Sequence, residues 1–497
     1  MTDVIKNIVI VGGGTAGWMV ASRLSAKHQA AADSQITITL VESPTIKPVG
    51  VGEGTWPSMR STLDAIGISE AEFIKECDAT FKQGTKFNGW VTGEKNDSYY
   101  HPFVSPRDFM QTNMVPFWQQ NNQSVSFADT VCTQAQACEF GLAPKQISTP
   151  EYASVNNYGY HLNAGKFADL LKKHCMSKFS VKHVLDDVIK VNSADNGDIA
   201  SLATKSHGDI AGDLFIDCTG LAALLIEKTL STGYDDWSHW LPCNRAMAVP
   251  CERTETTEPY TRSTAHKIGW QWRIPLQHRT GNGLVYSDKY MTDEEAKELL
   301  LNNLDGKPLA EPKIVPYQTG RRRKQWNKNV ICIGLASGFF EPLESTNIHL
   351  IQTAAIRLTK FFPHNGINIE EVNEFNRQSK IESEGIRDFI ILHYKLNGRN
   401  DSEFWRACQR MDVPESLINK IQLFKKTGKI FCNPDDLFTE IAWQQVMIGH
   451  DNIPEDHHPL VDTLTKEQVE DLMDNLKVLI NRTVEKLPSH DEFLKSL

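Results

Sequence analysis

Near the start of the chain, Gly12-Gly13-Gly14-Thr15-Ala16-Gly17 has the GxGxxG spacing that carries a pyrophosphate. Gly12 permits a tight turn, Gly14 lets the backbone approach the phosphates, and Gly17 lets the next helix pack closely. The N–H groups at the helix start offer a partial positive charge to the same phosphates. Glu42 is placed to accept hydrogen bonds from a ribose. Read by residue type alone, Lys82 and Lys86 are lysines of a helix surface. Glu344 is an acid suited to a helix N-terminus. His450, Asp451, Glu455, Asp456, His457 and His458 match no helical ligand spacing, and Pro454 and Pro459 mark a loop, so no metal site is expected.

These residues need elements to hold them. Asn7-Ile8-Val9-Ile10-Val11 is a short β-branched run that reads as a buried parallel strand. The glycine turn follows it, and Trp18 to Leu24 has helical spacing. Ile36 to Val41 is a second strand ending at Glu42. Asp213 to Gly220 and Val330 to Ala336 are apolar runs ending in small residues. Both can bring backbone to a long cofactor, which favours FAD over NAD. Trp270 and Trp272 stand two apart and point to one side of a strand. Thr465 and Gln468 form a capping box, followed by an apolar stripe from Val469 to Ile480.

The 497 residues allow a large core. Hydrophobic residues make up 40% and no apolar run approaches the ~18 residues of a membrane span. The start, Met1-Thr2-Asp3-Val4, has no signal-peptide pattern, so a cytoplasmic location is expected. A net charge of −10 argues against general nucleic-acid binding. The basic run Arg321-Arg322-Arg323-Lys324 reads as a solvated turn, with Arg321 a candidate exception. None of the ten cysteines forms a CxxC pair.

Trp270-Gln271-Trp272-Arg273-Ile274-Pro275 fits a WxWxIP signature, and here the chain resembles the flavin-dependent tryptophan halogenases. Gly50-Val51-Gly52-Glu53-Gly54-Thr55-Trp56-Pro57, Phe81-Lys82-Gln83-Gly84-Thr85-Lys86-Phe87 and Leu392-His393-Tyr394-Lys395 resemble further segments of that family. Gly334 to Thr346, ending Glu341-Pro342-Leu343-Glu344-Ser345-Thr346, matches it closely. The resemblance implies that Gly12, Gly14, Thr15, Ala16, Gly17, Glu42, Val188, Leu335 and Ile348 bind FAD. It implies that Thr346 and Asn347 present backbone groups to a halide ion. It makes Lys82 the lysine at the far end of a tunnel, with Glu344 near it facing the substrate. His101, Phe103, Phe438 and Trp443 would line the aromatic substrate.

On that reading reduced FAD and oxygen oxidise halide to hypohalous acid. A lysine then holds the electrophilic halogen by a hydrogen bond or as a haloamine, for which burial favours the required neutral amine. A carboxylate offsets charge on the ring and helps remove its proton. A separate flavin reductase would supply FADH2, since no second glycine turn is present, and a homodimer would suit the family. The alternatives are a flavin aromatic hydroxylase and a flavin-binding protein without turnover.

The sequence departs from tryptophan-specific members in its C-terminal third. In Phe431 to Trp443 the family's tyrosine pair is absent, and Thr439 stands where an acid is expected. An indole or another aromatic therefore competes with tryptophan as substrate. Asn347 replaces a glycine at the halide site, which leaves chloride against bromide open. Gly84 and Thr85 are smaller than their family counterparts. The expected fold is α/β, a Rossmann-like FAD-binding core with an added antiparallel sheet and a helical C-terminal region. Residues 1–365 would form the core with inserted segments 96–159 and 226–314, and 366–497 a helical subdomain. The 101–159 stretch reads as a flap or as surface loops.

Overall fold

The computed structural model describes residues 4–28, 35–46, 52–106, 113–121, 124–363, 365–434, 436–457 and 459–497. Met1 to Asp3, Gly50, Val51, Asp435 and His458 lie outside the described residues, as do parts of the 101–159 stretch. The chain forms two compact units. The first comprises 1–79, 162–237 and 318–383, and the second 80–161, 238–317 and 384–497.

In the first unit Asn7–Val11 lies at the centre of a six-stranded sheet. Thr37–Glu42 and Leu214–Asp217 flank it in parallel, and Lys182–Leu185 and Val330–Cys332 extend the parallel array. Parallel strands of this kind are covered on both faces, which explains their unbroken apolar runs. Val9, Val11, Phe215 and Val330 pack with Ile199 and Leu202 of a small antiparallel sheet. The helix Thr15–His28 packs against the helices Ala164–Lys178 and Asn347–Lys360. Of the late strands inferred from sequence, Leu214–Asp217 lies beside the first strand and Val330–Cys332 lies one place further out.

The second unit carries the added sheet. Its order is Lys313–Pro316, Arg245–Cys251, Thr280–Tyr286, Trp270–Pro275, Thr261–Ala265, Gly84–Asn88 and Ser98–Pro102. All neighbours are antiparallel except Thr261–Ala265 with Gly84–Asn88. Trp270–Pro275 and Thr280–Tyr286 are buried along their whole length. A Cβ on Gly283 would stand 1.9 Å from the Trp272 ring, so this glycine makes room for the signature tryptophan. The Trp270 and Trp272 rings lie 6.0 Å apart, as expected for one face of a strand. The 101–159 stretch is more regular than a loop reading implies, with short helices at Val115–Asn121, Phe127–Val131 and Thr133–Glu139. Helices dominate after 384, including Lys466–Val484 with the capping box of Thr465 and Gln468. No described helix is long and apolar enough to cross a membrane.

Candidate active site

The glycine turn does what its spacing requires. Gly12 has φ +115°, and a Cβ there would stand 2.2 Å from the Cys218 carbonyl oxygen. A Cβ on Gly17 would lie 1.9 Å from the Gly12 oxygen, so the helix sits tight on the strand. A Cβ on Gly14 meets nothing within 4 Å, which leaves open space on the side where phosphate would approach. Thr15 and Ala16 open the helix and are half-buried. Thr15 Oγ1 donates to the Ala164 carbonyl at 3.3 Å.

Neighbouring strands end beside this turn. Cys218 N–H donates to Val11 O at 2.8 Å, and Ile333 N–H donates to Asp217 O at 2.9 Å. A Cβ on Gly334 would be 3.0 Å from Ala16 Cβ, which sets the turn Gly334–Ala336, with Leu335, against the helix start. The Glu42 side chain lies over Gly13, and its Oε2 accepts from His183 Nε2 at 2.7 Å and Lys172 Nζ at 3.1 Å. Val188 is half-buried and begins a strand three residues after Leu185, the register partner of Glu42. These groups fit an extended dinucleotide lying across strand ends. Asp217 was not singled out from sequence. Its Oδ1 accepts from Thr219, and its Oδ2 accepts from Leu225 and Ile226 N–H, which fixes the turn after its strand. Its place at the end of an apolar run was the available signal.

The EPLEST run forms a second feature of the first unit. Pro342–Glu344 is a 3₁₀ turn, Ser345 takes a left-handed conformation at φ +56°, and the helix Asn347–Lys360 follows. Glu344 is buried in that turn, and Trp56 Nε1 donates to its backbone carbonyl at 2.8 Å. Thr346 is fully buried at the helix N-cap, and its Oγ1 has no hydrogen-bond partner among the described residues. The N–H groups at this helix start have no partners within the helix and carry its positive end. Asn347 is half-buried and Ile348 buried. An unsatisfied hydroxyl beside such N–H groups suits a small anion. His349 stands one turn into the helix, with Nε2 3.6 Å from Glu382 and Nδ1 3.3 Å from Ser58 Oγ. Burial lowers the His349 pKa.

The lysine belongs to the second unit. Lys82 ends the strand Thr80–Lys82 and is fully buried, so the helix-surface reading of this residue fails. The strand pairs antiparallel with Gly159–Asn163, placing Lys82 opposite Gly159 and Thr80 opposite His161. Lys82 Nζ stands 5.2 Å from the centre of the Phe103 ring. Lys86 is likewise in a strand, Gly84–Asn88, and is paired with Glu139. Gly84 has a specific task, since a Cβ there would lie 2.4 Å from the His101 carbonyl oxygen.

Two groups that the sequence reading missed hold these parts. Thr80 Oγ1 donates to Pro275 O at 2.7 Å and lies 3.2 Å from His161 Nδ1, whose Nε2 lies 2.9 Å from Thr261 Oγ1. Burial, then the charge of Lys82, drives the His161 pKa well down. Gln134 Oε1 accepts from the N–H groups of Phe103 and Val104 at 2.6 and 2.8 Å. Neither residue has a local sequence signal, because each acts on a segment far along the chain.

His101 is buried in the strand Ser98–Pro102, not in a loop. Its ring lies 5.5 Å from Phe389 and 6.2 Å from Phe438. Phe389 and Phe438 stack at 3.7 Å, and Trp443 meets Phe389 edge-on at 4.9 Å. Three of the four expected substrate residues therefore gather around Phe389, and the fourth, Phe103, accompanies Lys82. Phe389 sits in the helix Ile369–Lys395 just before the LHYK segment and was not singled out from sequence. Lys420 Nζ lies 4.6 Å above the Trp443 ring and 4.0 Å from Asp436. Thr439, where the resemblance leads one to expect an acid, is exposed.

Other polar clusters have structural work. Arg321 pairs with Asp235 at 3.3 Å and is buried; Arg322 pairs with Glu227 at 2.9 Å. His450 Nε2 meets Tyr99 Oη at 3.0 Å, and His457 meets Asp462 at 2.7 Å.

The likeness to known proteins follows the same outline. The family described as tryptophan halogenase matches residues 7–466. Tryptophan 6-halogenase ThaL of Streptomyces albogriseolus is 36% identical over 86% of this chain and 83% of its own length. Tryptophan 7-halogenase RebH of Lentzea aerocolonigenes is 31% identical over 100% of this chain and 99% of its own. The structure of Xcc4156, a flavin-dependent halogenase from Xanthomonas campestris, superposes with a TM-score of 0.94 at 39% identity, over 99% of this chain and 98% of that one. With a nucleotide turn, a buried lysine strand and matches that run through both units, this enzyme belongs to the tryptophan halogenase family of flavin-dependent proteins.

Proposed function

We propose that this enzyme halogenates an electron-rich, indole-like aromatic, using FADH2, oxygen and a halide ion, with Lys82 carrying the halogen to the ring. The observation that carries the reading is the full burial of Lys82 on a strand beside an aromatic ring, in a chain of this family. Lysine side chains are almost never fully buried, so a fully buried one is a candidate working group. Bound FADH2 would activate oxygen, and oxygen would supply the oxidising equivalents that convert halide to hypohalous acid.

The residues divide the remaining work. Gly12, Gly14, Thr15, Ala16, Gly17, Glu42, Val188, Leu335 and Ile348 bind and orient the flavin. Thr346 and Asn347 hold the halide through the N–H groups of their helix start, helped by the Thr346 hydroxyl, which has no partner among the described residues. Lys82 holds the electrophilic halogen. His101, Phe103, Phe438 and Trp443 hold the flat substrate. As the ring gains the halogen, positive charge builds on it; the Glu344 carboxylate offsets that charge and accepts the ring proton. The aromatic cluster around Phe389 and the exposed Thr439 suit a ring without an amino-acid tail better than free tryptophan. FADH2 comes from a separate reductase in the cytoplasm, and the enzyme works as a homodimer.

The test combines the protein with FAD, a flavin reductase, NADH, oxygen, and bromide or chloride, over indole, tryptophan, phenols and pyrroles. Mass spectrometry should find an enzyme-dependent product with the halogen isotope pattern, strongest for an indole without the amino-acid tail. Hydroxylated product in its place would overturn the proposal.

A further inference from the structure

We propose that His490, in the C-terminal helix His490–Ser496, is a positioning residue for Lys82. This inference rests on Lys82 as the halogen carrier. The strand Thr80–Lys82 pairs with Gly159–Asn163 on one side, and the Phe81 N–H points to a different partner. That partner is His490 Nε2, which accepts from Phe81 N–H at 3.1 Å. His490 Nδ1 lies 2.9 Å from the Thr257 carbonyl, an acceptor, so Nδ1 carries the proton and Nε2 is left with its lone pair. Both ring nitrogens are thereby assigned, and only the neutral imidazole satisfies both bonds. Burial holds the His490 pKa down to about 4, so the ring keeps this form at neutral pH.

The imidazole is itself held rigidly. His490 N–H donates to Gly141 O at 2.8 Å, and Ala143 N–H donates to Pro488 O at 3.0 Å. Ser489 and Glu492 form a capping box. Asp491 accepts from Thr257 Oγ1 at 2.7 Å, and the Phe493 ring meets Phe81 edge-on at 5.1 Å. Phe81 and Lys82 project to opposite faces of their strand, so His490 acts on the lysine through the backbone and touches no reacting atom. A backbone N–H that loses its only acceptor in a buried place will shift to find another. A shift of ~1 Å at a reacting group can cost roughly 100-fold.

The test uses the geometry of two amides. In His490→Gln the side-chain amide reaches the place of Nε2 and can accept from Phe81 N–H. In His490→Asn it reaches only the place of Nδ1, keeping Thr257 and losing Phe81. Halogenated product per FADH2 oxidised is measured for both, with wild type and Lys82→Ala alongside, a scavenger for free hypohalous acid, and thermal melting of each protein. The proposal expects His490→Asn to lose roughly 10-fold to 100-fold in product per FADH2, with more halogen in the scavenger, and His490→Gln to stay within about threefold of wild type. Equal, wild-type coupling in both variants overturns it. So does an equal loss in both that follows their melting temperatures, which would make His490 a fold residue. Wild-type coupling in Lys82→Ala would instead remove the reading of Lys82 on which the inference rests.

Discussion

In the first unit the groups that would meet the flavin are main-chain atoms at strand ends and helix starts, with open space in front of Gly14. In the second, the groups that would meet the substrate are side chains, buried and tied from several directions, as Lys82, His101, Phe438 and Trp443 are. A cofactor of fixed shape is recognised by a fixed turn of backbone, which glycine supplies locally. A reactive amine and a flat ring need side chains held from distant points of the chain. The lesson is that damage to the first unit should appear first as lost flavin or halide binding, and damage to the second as lost product with flavin chemistry intact.

The largest expected effect inside the first unit comes from filling the open side of the turn. Gly14→Val should weaken FAD binding by roughly 100-fold while the melting temperature stays near that of wild type, because its Cβ meets no protein atom. Gly17→Ala should behave in the opposite way and lower stability, since its Cβ meets the Gly12 carbonyl. Flavin fluorescence titration with thermal melting separates the two. A Gly14→Val protein that binds FAD normally would break the comparison.

Glu344→Gln should come next. Losing the negative charge that offsets the charged ring should slow halogenation by roughly 10-fold to 100-fold, with FADH2 oxidation unchanged. Single-turnover product formation measures it, and an unchanged rate would remove the role of this residue. This variant sharpens the contrast, because Glu344 lies in the first unit and its proposed role concerns the substrate.

Thr346→Val tests the halide site. The Thr346 hydroxyl has no partner among the described residues, so removing it should not destabilise the protein and can gain about 1 kcal/mol. The halide KM should rise by about threefold to tenfold with the maximal rate nearly kept, as expected for loss of one hydrogen bond to an anion. A fall in melting temperature with no change in halide KM would make Thr346 structural.

The smallest effect is on pH dependence. Burial pushes the Glu53 carboxyl up to about 7, above the ordinary 4.5. A folded pKa raised in this way contributes stability that is present below pH 4.5 and lost as pH rises through 7. Glu53→Gln keeps the neutral shape, so its melting temperature should gain on wild type as pH rises from about 5 to about 8. Parallel melting curves across that range would show that the carboxyl is not buried in solution.

Legibility in the sequence follows the same division. The glycine turn, Glu42 and the late strands are local patterns, and the structure gives each the place its pattern implies. Trp270 and Trp272 share one face of a strand, and Gly283 opposite Trp272 leaves room for that ring. Lys82 was different. Its neighbours in sequence allow a helix surface, while its strand pairs with Gly159, its Nζ stands near Phe103 and the backbone beside it is tied to the C-terminal helix, all distant in the chain. His161, Gln134 and Phe389 have no local pattern, since each matters through a partner far along the sequence. Only the likeness of whole segments to a family could mark that half of the site.

The most direct test of the account follows three quantities together in wild type and Lys82→Ala: FADH2 oxidised, hypohalous acid caught by a scavenger, and halogenated substrate. The account predicts that Lys82→Ala binds FAD, oxidises FADH2 and releases oxidised halogen to the scavenger, yet forms no halogenated substrate. Halogenated substrate at the wild-type rate from Lys82→Ala would contradict it.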